Sequence, residues 1–154
     1  MKVDYSKFGR EFEWENWFGE VDINDGDRVN TVSVEISQGE DNEIPEELKK
    51  KLEFFIENYH RYKEVLSEPI FKYYKSKRAT LGITDPNDPL YPEIKDAISL
   101  TKMYTLSSIE VRNSESDGKD TIGLLYDCTW DDEGIGIRLS GFNVEKIGIQ
   151  GSQF

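Results

Sequence analysis

Hydrophobic and polar positions change period along the chain. Around Trp17–Ile23 and again over Val32–Ile36 they alternate, so Trp17, Val21 and Ile23, then Val32, Val34 and Ile36, each share one side of a strand. Between the two runs, Asn24-Asp-Gly-Asp27 supplies residues that tolerate tight-turn backbone, which predicts a hairpin or two neighbouring strands of a meander. Beyond the polar loop Gln38–Glu43 the period lengthens. Pro45 with Glu46 and Glu47 suits a first helical turn, and Leu48, Leu52, Phe55, Tyr59, Tyr62 and Leu66 recur at three- and four-residue steps as one apolar stripe. Ser67-Glu-Pro69 is expected to cap that helix and restart a second one carrying Ile70, Phe71 and Tyr74, with a single kinked helix as the alternative. Ala79–Pro92 reads as a loop, either packed or functional, Glu93–Thr101 as a short helix, and Leu106–Arg112 as a strand followed by the polar loop Asn113–Gly118.

The last third returns to alternation. Ile122–Trp130, Ile135–Leu139 and Val144–Ile149 read as three strands joined by two tight turns, the first of them Asp131-Asp-Glu-Gly134. Two strands, a helical middle of two to three helices and four strands predict an α+β fold, a mainly antiparallel sheet with the helices packed on one face. No repeat, heptad run or low-complexity tract interrupts the pattern, and 154 residues match a single domain spanning 1–154.

Composition narrows the function classes. Charged residues make up 32% and aromatics 12%, and the aromatics argue against disorder. The net charge of −12 is unevenly spread: residues 1–44 carry −8, residues 45–78 carry +3 and residues 79–154 carry −7. A field of that sign repels nucleic-acid phosphates and anionic lipid and attracts cationic surfaces. No stretch approaches the ~20 apolar residues that span a bilayer, and the N-terminus has no signal-peptide core. One cysteine allows no internal disulfide, so a reducing cytoplasm is the expected compartment.

Candidate chemistry is sparse. On the strand Ile122–Trp130, Cys128 falls on the same side as Leu124, Tyr126 and Trp130, where an apolar setting makes a thiol inert. His60, the single histidine, lies beside the helical stripe, at a surface or boundary position. Asp127, Asp131, Asp132 and Glu133 offer oxygen ligands of the kind that hold Ca²⁺ or Mg²⁺, but their spacing matches no calcium loop, and tight turns favour Asp and Gly for backbone reasons alone. Gly134 and Gly136 do not lead into a helix, so a phosphate-binding loop is excluded. Trp14, Trp17, Phe18 and Trp130 are candidate binding aromatics; of these Trp14, between Glu13 and Glu15, is expected to be exposed.

The segment Gly123-Leu-Leu-Tyr-Asp-Cys-Thr-Trp-Asp-Asp-Glu-Gly-Ile-Gly-Ile137, with Lys146-Ile-Gly148 after it, resembles the ending of a family of small, uncharacterised bacterial domains. In that pattern a strand closes on Cys/Ser-x-Trp-Asp, an acidic turn reads Glu-His-Gly, and a Gly-Val/Ile strand follows. The N-terminal Trp-x-Gly strand and the helical middle fall in the same order. Here Glu133 runs directly into Gly134, so the turn histidine is missing. The resemblance implies a small soluble cytoplasmic protein, some relatives of which look like immunity proteins against polymorphic toxins.

These readings predict a non-enzymatic, cofactor-free domain that binds a protein with a basic surface, a toxin domain being one such partner. Glu11, Glu13, Trp14, Glu15, Asp131, Asp132 and Glu133 are the expected contacts. The first alternative is a divalent-metal-binding hydrolase or regulator using Asp127, Asp131, Asp132 and Glu133. A second is an assembly protein that pairs through an uncovered sheet edge.

Overall fold

Pairing of the alternating segments produces one six-stranded sheet. In the computed structural model, which describes residues 3–12, 15–26, 28–37, 42–112 and 121–151, the strands are β1 (Trp17–Asp25), β2 (Arg28–Ile36), β3 (Tyr104–Val111), β4 (Thr121–Cys128), β5 (Ile135–Ser140) and β6 (Asn143–Gly148). They lie in the order β1-β2-β3-β4-β5-β6. Every neighbouring pair is antiparallel except β2 and β3, which run parallel. A parallel step needs a long crossover, and the helical middle supplies it: α1 (Glu46–Glu57), α2 (Tyr59–Thr80) and the single turn α3 (Ala97–Leu100). The fold is α+β, with its helices in the middle of the chain.

The period-two pattern decides which face the helices cover. Val21, Ile23, Val32, Val34, Ile36, Leu106, Ile109, Val111, Leu124, Tyr126, Ile137 and Leu139 are buried in one core with Leu48, Leu52 and Phe55 of α1 and Tyr62, Leu66, Ile70 and Tyr74 of α2. Gly19 interrupts the apolar row of β1, and the Phe8 ring takes that place: a Cβ at Gly19 would come within 2.5 Å of the ring. The Tyr5 hydroxyl donates to the Lys49 carbonyl at 3.2 Å, which ties this N-terminal segment to α1. No helix among the described residues is long and apolar enough to cross a membrane.

The helices break elsewhere than the proline suggests. Ser67-Glu-Pro69 lies inside α2, and the chain turns at Asn58 instead. Asn58 closes α1 by directing both its backbone N–H and its side-chain amide to the Phe54 carbonyl, at 3.1 and 2.8 Å, while its own carbonyl accepts the first N–H groups of α2. Pro69 removes one backbone hydrogen bond, but buried Leu66, Ile70 and Phe71 on either side hold the helix to the core. Helix α2 therefore continues to Thr80, two residues into the segment read as a loop.

The connection that follows is packed. Arg78 donates to the carbonyls of Tyr91 (2.8 Å) and Asp85 (2.6 Å), Tyr91 stacks on Tyr74 at 5.7 Å, and Asp88 accepts from the backbone of Leu90 and Tyr91. The short helix begins later than its periodicity suggests, because the Asp96 carboxylate caps it by accepting from the Ser99 N–H at 2.7 Å. The expected loop Asn113–Gly118 lies outside the described residues.

Candidate functional site

Opposite the helices, the sheet presents a polar face whose charge is set by strand register. Phe18 pairs with Glu35, Glu35 with Glu110, Glu110 with Gly123, Gly123 with Arg138 and Arg138 with Lys146, so these six residues form one row across the sheet. The next row runs Glu20, Ser33, Ser108, Leu125 and Gly136, and the hairpin end adds Asp22, which accepts from the Thr31 hydroxyl at 2.7 Å. The face is acidic over β1 to β3, whereas over β5 and β6 Arg138 pairs with Glu145 at 4.0 Å beside Lys146. Gly123 and Gly136 place no side chains near the centre of the face, where Leu125 lies between them.

The N-terminal segment builds a groove at the acidic corner. Gly9 bridges to Phe18, which ties the chain to the outer edge of β1. The Glu11 N–H donates to the Glu15 carboxylate at 3.2 Å, the Glu15 N–H to the Phe12 carbonyl at 3.0 Å, and the Asn16 amide to Glu35 at 2.9 Å. A shallow groove of about 520 Å³ results, lined by Glu11, Glu15, Asn16, Phe18 and Glu35. Phe18 is 51% exposed within this carboxylate frame. Glu13 and Trp14 lie outside the described residues.

The other expected contacts, Asp131, Asp132 and Glu133, sit at the opposite end of the sheet, since the turn follows the end of β4 whereas the groove lies at the start of β1. A strand of eight residues separates the ends by roughly 25 Å. The structure thus divides the predicted contacts into two regions. Asp131 closes its own turn: its carboxylate accepts from the Glu133 N–H at 2.9 Å and pairs with Lys77 at 3.5 Å, while its carbonyl accepts the Gly134 N–H at 3.1 Å. Asp127 accepts from the Gln150 amide at 3.3 Å. Among the described residues, no group of three or more His, Cys, Asp or Glu side chains is placed to hold a metal ion.

Among the described residues, neither Cys128 nor His60 has a hydrogen bond to a second titratable side chain. His60 is exposed on α2. Cys128 is half-buried rather than fully enclosed, because it ends β4 and its thiol donates to the Asp131 carbonyl at 3.3 Å. Burial pushes that thiol up to about 11. Native Cys128 is therefore expected to alkylate about a hundredfold more slowly than an unstructured peptide thiol at mildly alkaline pH; equal rates, read by mass spectrometry, would show that the turn opens freely.

Two features escaped the sequence pattern. One is a cleft of about 610 Å³ between α1 and the β4–β5 end, lined by Lys50, Lys51, Phe54, Tyr62, Ile122 and Leu139 among others. Beside it Phe142 stacks on Tyr62 at 4.4 Å, with the Arg61 guanidinium 4.0 Å from the Phe142 ring. It brings together aromatic rings and ammonium groups but no nucleophile with a base. The other is a polar cluster at the opposite end of the core, where the Asp25–Lys63 ion pair adjoins Tyr59, Tyr104 and Tyr126. Tyr59 was legible only as one residue of the helical stripe, and Tyr104 lies just before the strand as read from Leu106.

Comparison with known proteins gives one match. A family described as a domain of unknown function (DUF6985) matches residues 5–154. No curated protein and no solved structure matches the chain.

Proposed function

We propose that this chain, which belongs to the DUF6985 family, is a non-enzymatic binding module that docks a basic protein surface on the acidic half of its open sheet face. The observation that carries this reading is the register that sets Phe18 in line with Glu35 and Glu110, beside Glu20 and the Glu11–Glu15 groove. Carboxylates spread over a sheet face steer a cationic partner into register, and a half-exposed phenylalanine among them supplies an anchor whose burial slows dissociation. The 131–133 turn, at the far end, adds to the field that attracts the partner rather than to the contact. A toxin domain with a basic active surface is the partner class that fits best, which makes the protein a cytoplasmic immunity protein of bacteria.

The test is capture from the native host followed by binding kinetics with the captured protein, a toxin encoded next to this chain being the first candidate. Glu15→Lys with Glu20→Lys is expected to lower the association rate at least about tenfold at low salt and to flatten its salt dependence. Phe18→Ala is expected to act on dissociation, at about 2 kcal/mol. Robust growth of cells that express the neighbouring toxin without this protein would sink the immunity reading. Unchanged kinetics in all these variants would move the contact off the sheet face.

A further inference from the structure

The polar cluster at the hairpin end of the core encloses a cavity of about 20 Å³, bounded by Asp25, Arg28, Lys63, Tyr59, Tyr104 and Tyr126 together with Thr101 and Thr105. A single water requires at least about 10–15 Å³ of such space and two to four polar partners. The cavity meets the first condition with room for one molecule and no more.

Its lining meets the second. Tyr104 is only 7% exposed, and its hydroxyl has no hydrogen-bond partner within the protein. The neighbouring Tyr59 and Tyr126 rings line the same cavity. The Asp25 carboxylate, fixed by Lys63 of α2, lies close enough to act electrostatically on all three tyrosines. The Thr101 hydroxyl is spent on the Ile98 carbonyl at 2.6 Å. A buried hydroxyl without a partner costs about 1–3 kcal/mol, so a donor aimed at a polar cavity of this size calls for a guest that accepts its proton and passes one on.

We infer that this cavity is a binding site for one ordered water, which accepts from the Tyr104 hydroxyl and donates to Asp25. The site joins β3, the end of the β1–β2 hairpin and α2, beside the Asp25–Lys63 ion pair between hairpin and helix and the Asn30 amide that donates to the Leu106 carbonyl at 2.9 Å. It stands independently of the partner-binding face.

A crystal structure of the full chain, at a resolution that shows solvent, is expected to place one water peak about 2.8 Å from the Tyr104 hydroxyl oxygen. Tyr104→Phe discriminates by sign. If the hydroxyl is satisfied through water, its removal lowers the folding equilibrium constant about fivefold in urea titrations, as loss of an ordinary hydrogen bond does. If the hydroxyl is unsatisfied in a dry cavity, the same change raises that constant. A cavity without density, a peak that refines as an ion, or a phenylalanine variant as stable as the parent or more so would each overturn the assignment.

Discussion

Gly134→Ala is expected to destabilise the fold by about 3–5 kcal/mol, more than any single contact of the turn contributes. Gly134 adopts φ +65°, where a side chain of L configuration costs roughly 1–2 kcal/mol. The added Cβ would also clash with the Tyr126 carbonyl oxygen and come within 2.5 Å of the Gln150 amide nitrogen. Gln150 has some freedom, but it is held by the Tyr126 carbonyl and Asp127. The Tyr126 carbonyl cannot retreat, because β4 is paired on both sides there. Urea unfolding of the alanine variant measures the effect, and a loss below about 1 kcal/mol would show that the turn can be remodelled at little cost. The same geometry closes the turn from within. Asp131 closes it with its carboxylate on the Glu133 N–H and its carbonyl on the Gly134 N–H.

What the sequence made legible follows from how local each determinant is. The β1–β2 hairpin and the β4–β5–β6 meander were readable because alternation and turn residues lie within a few positions of one another, and the sheet inherits them directly. The helix break was misplaced because Pro69 is a strong local signal, yet burial of Leu66, Ile70 and Phe71 outweighs it, whereas the Asn58 closure depends on where α1 meets α2. Asp127, Asp131, Asp132 and Glu133 are close in sequence, but strand geometry and turn closure send Asp127 to Gln150 and Asp131 to Lys77. The groove was half legible: Glu11 and Glu15 are visible as an acidic run, but Phe18 and Glu35 join them only through register. The Asp25–Lys63–tyrosine cluster was hidden altogether, since it draws on both hairpin strands, α2, β3 and β4 and has no local motif.

That cluster governs the second large effect, alkaline unfolding. Burial, reinforced by the nearby Asp25 carboxylate, pushes Tyr104 up to about 12 and raises Tyr59 still further. Tyr126 is also raised well above the ordinary phenol range, chiefly by burial. In the unfolded chain all three ionise near pH 10. A folded-state pKa raised above the unfolded one means that the stabilisation is complete below about pH 10 and is lost as pH climbs through the folded values. Each protonated phenol then costs about 1.4 kcal/mol per pH unit, so three of them lower stability by about 4 kcal/mol per unit above pH 10. Against a typical domain stability of about 5–15 kcal/mol, cooperative unfolding is expected before Tyr126 can ionise in place. Circular dichroism and tyrosinate absorbance should therefore change together, with the buried phenols titrating only as the helices are lost. In Tyr104→Phe the slope should fall by about 1.4 kcal/mol per pH unit, because one held proton is lost while Tyr5, raised likewise by burial, still holds its own. Full tyrosinate absorbance at about pH 11 with helical signal intact would show that these hydroxyls reach solvent without unfolding, and that the hairpin end of the core is open to water.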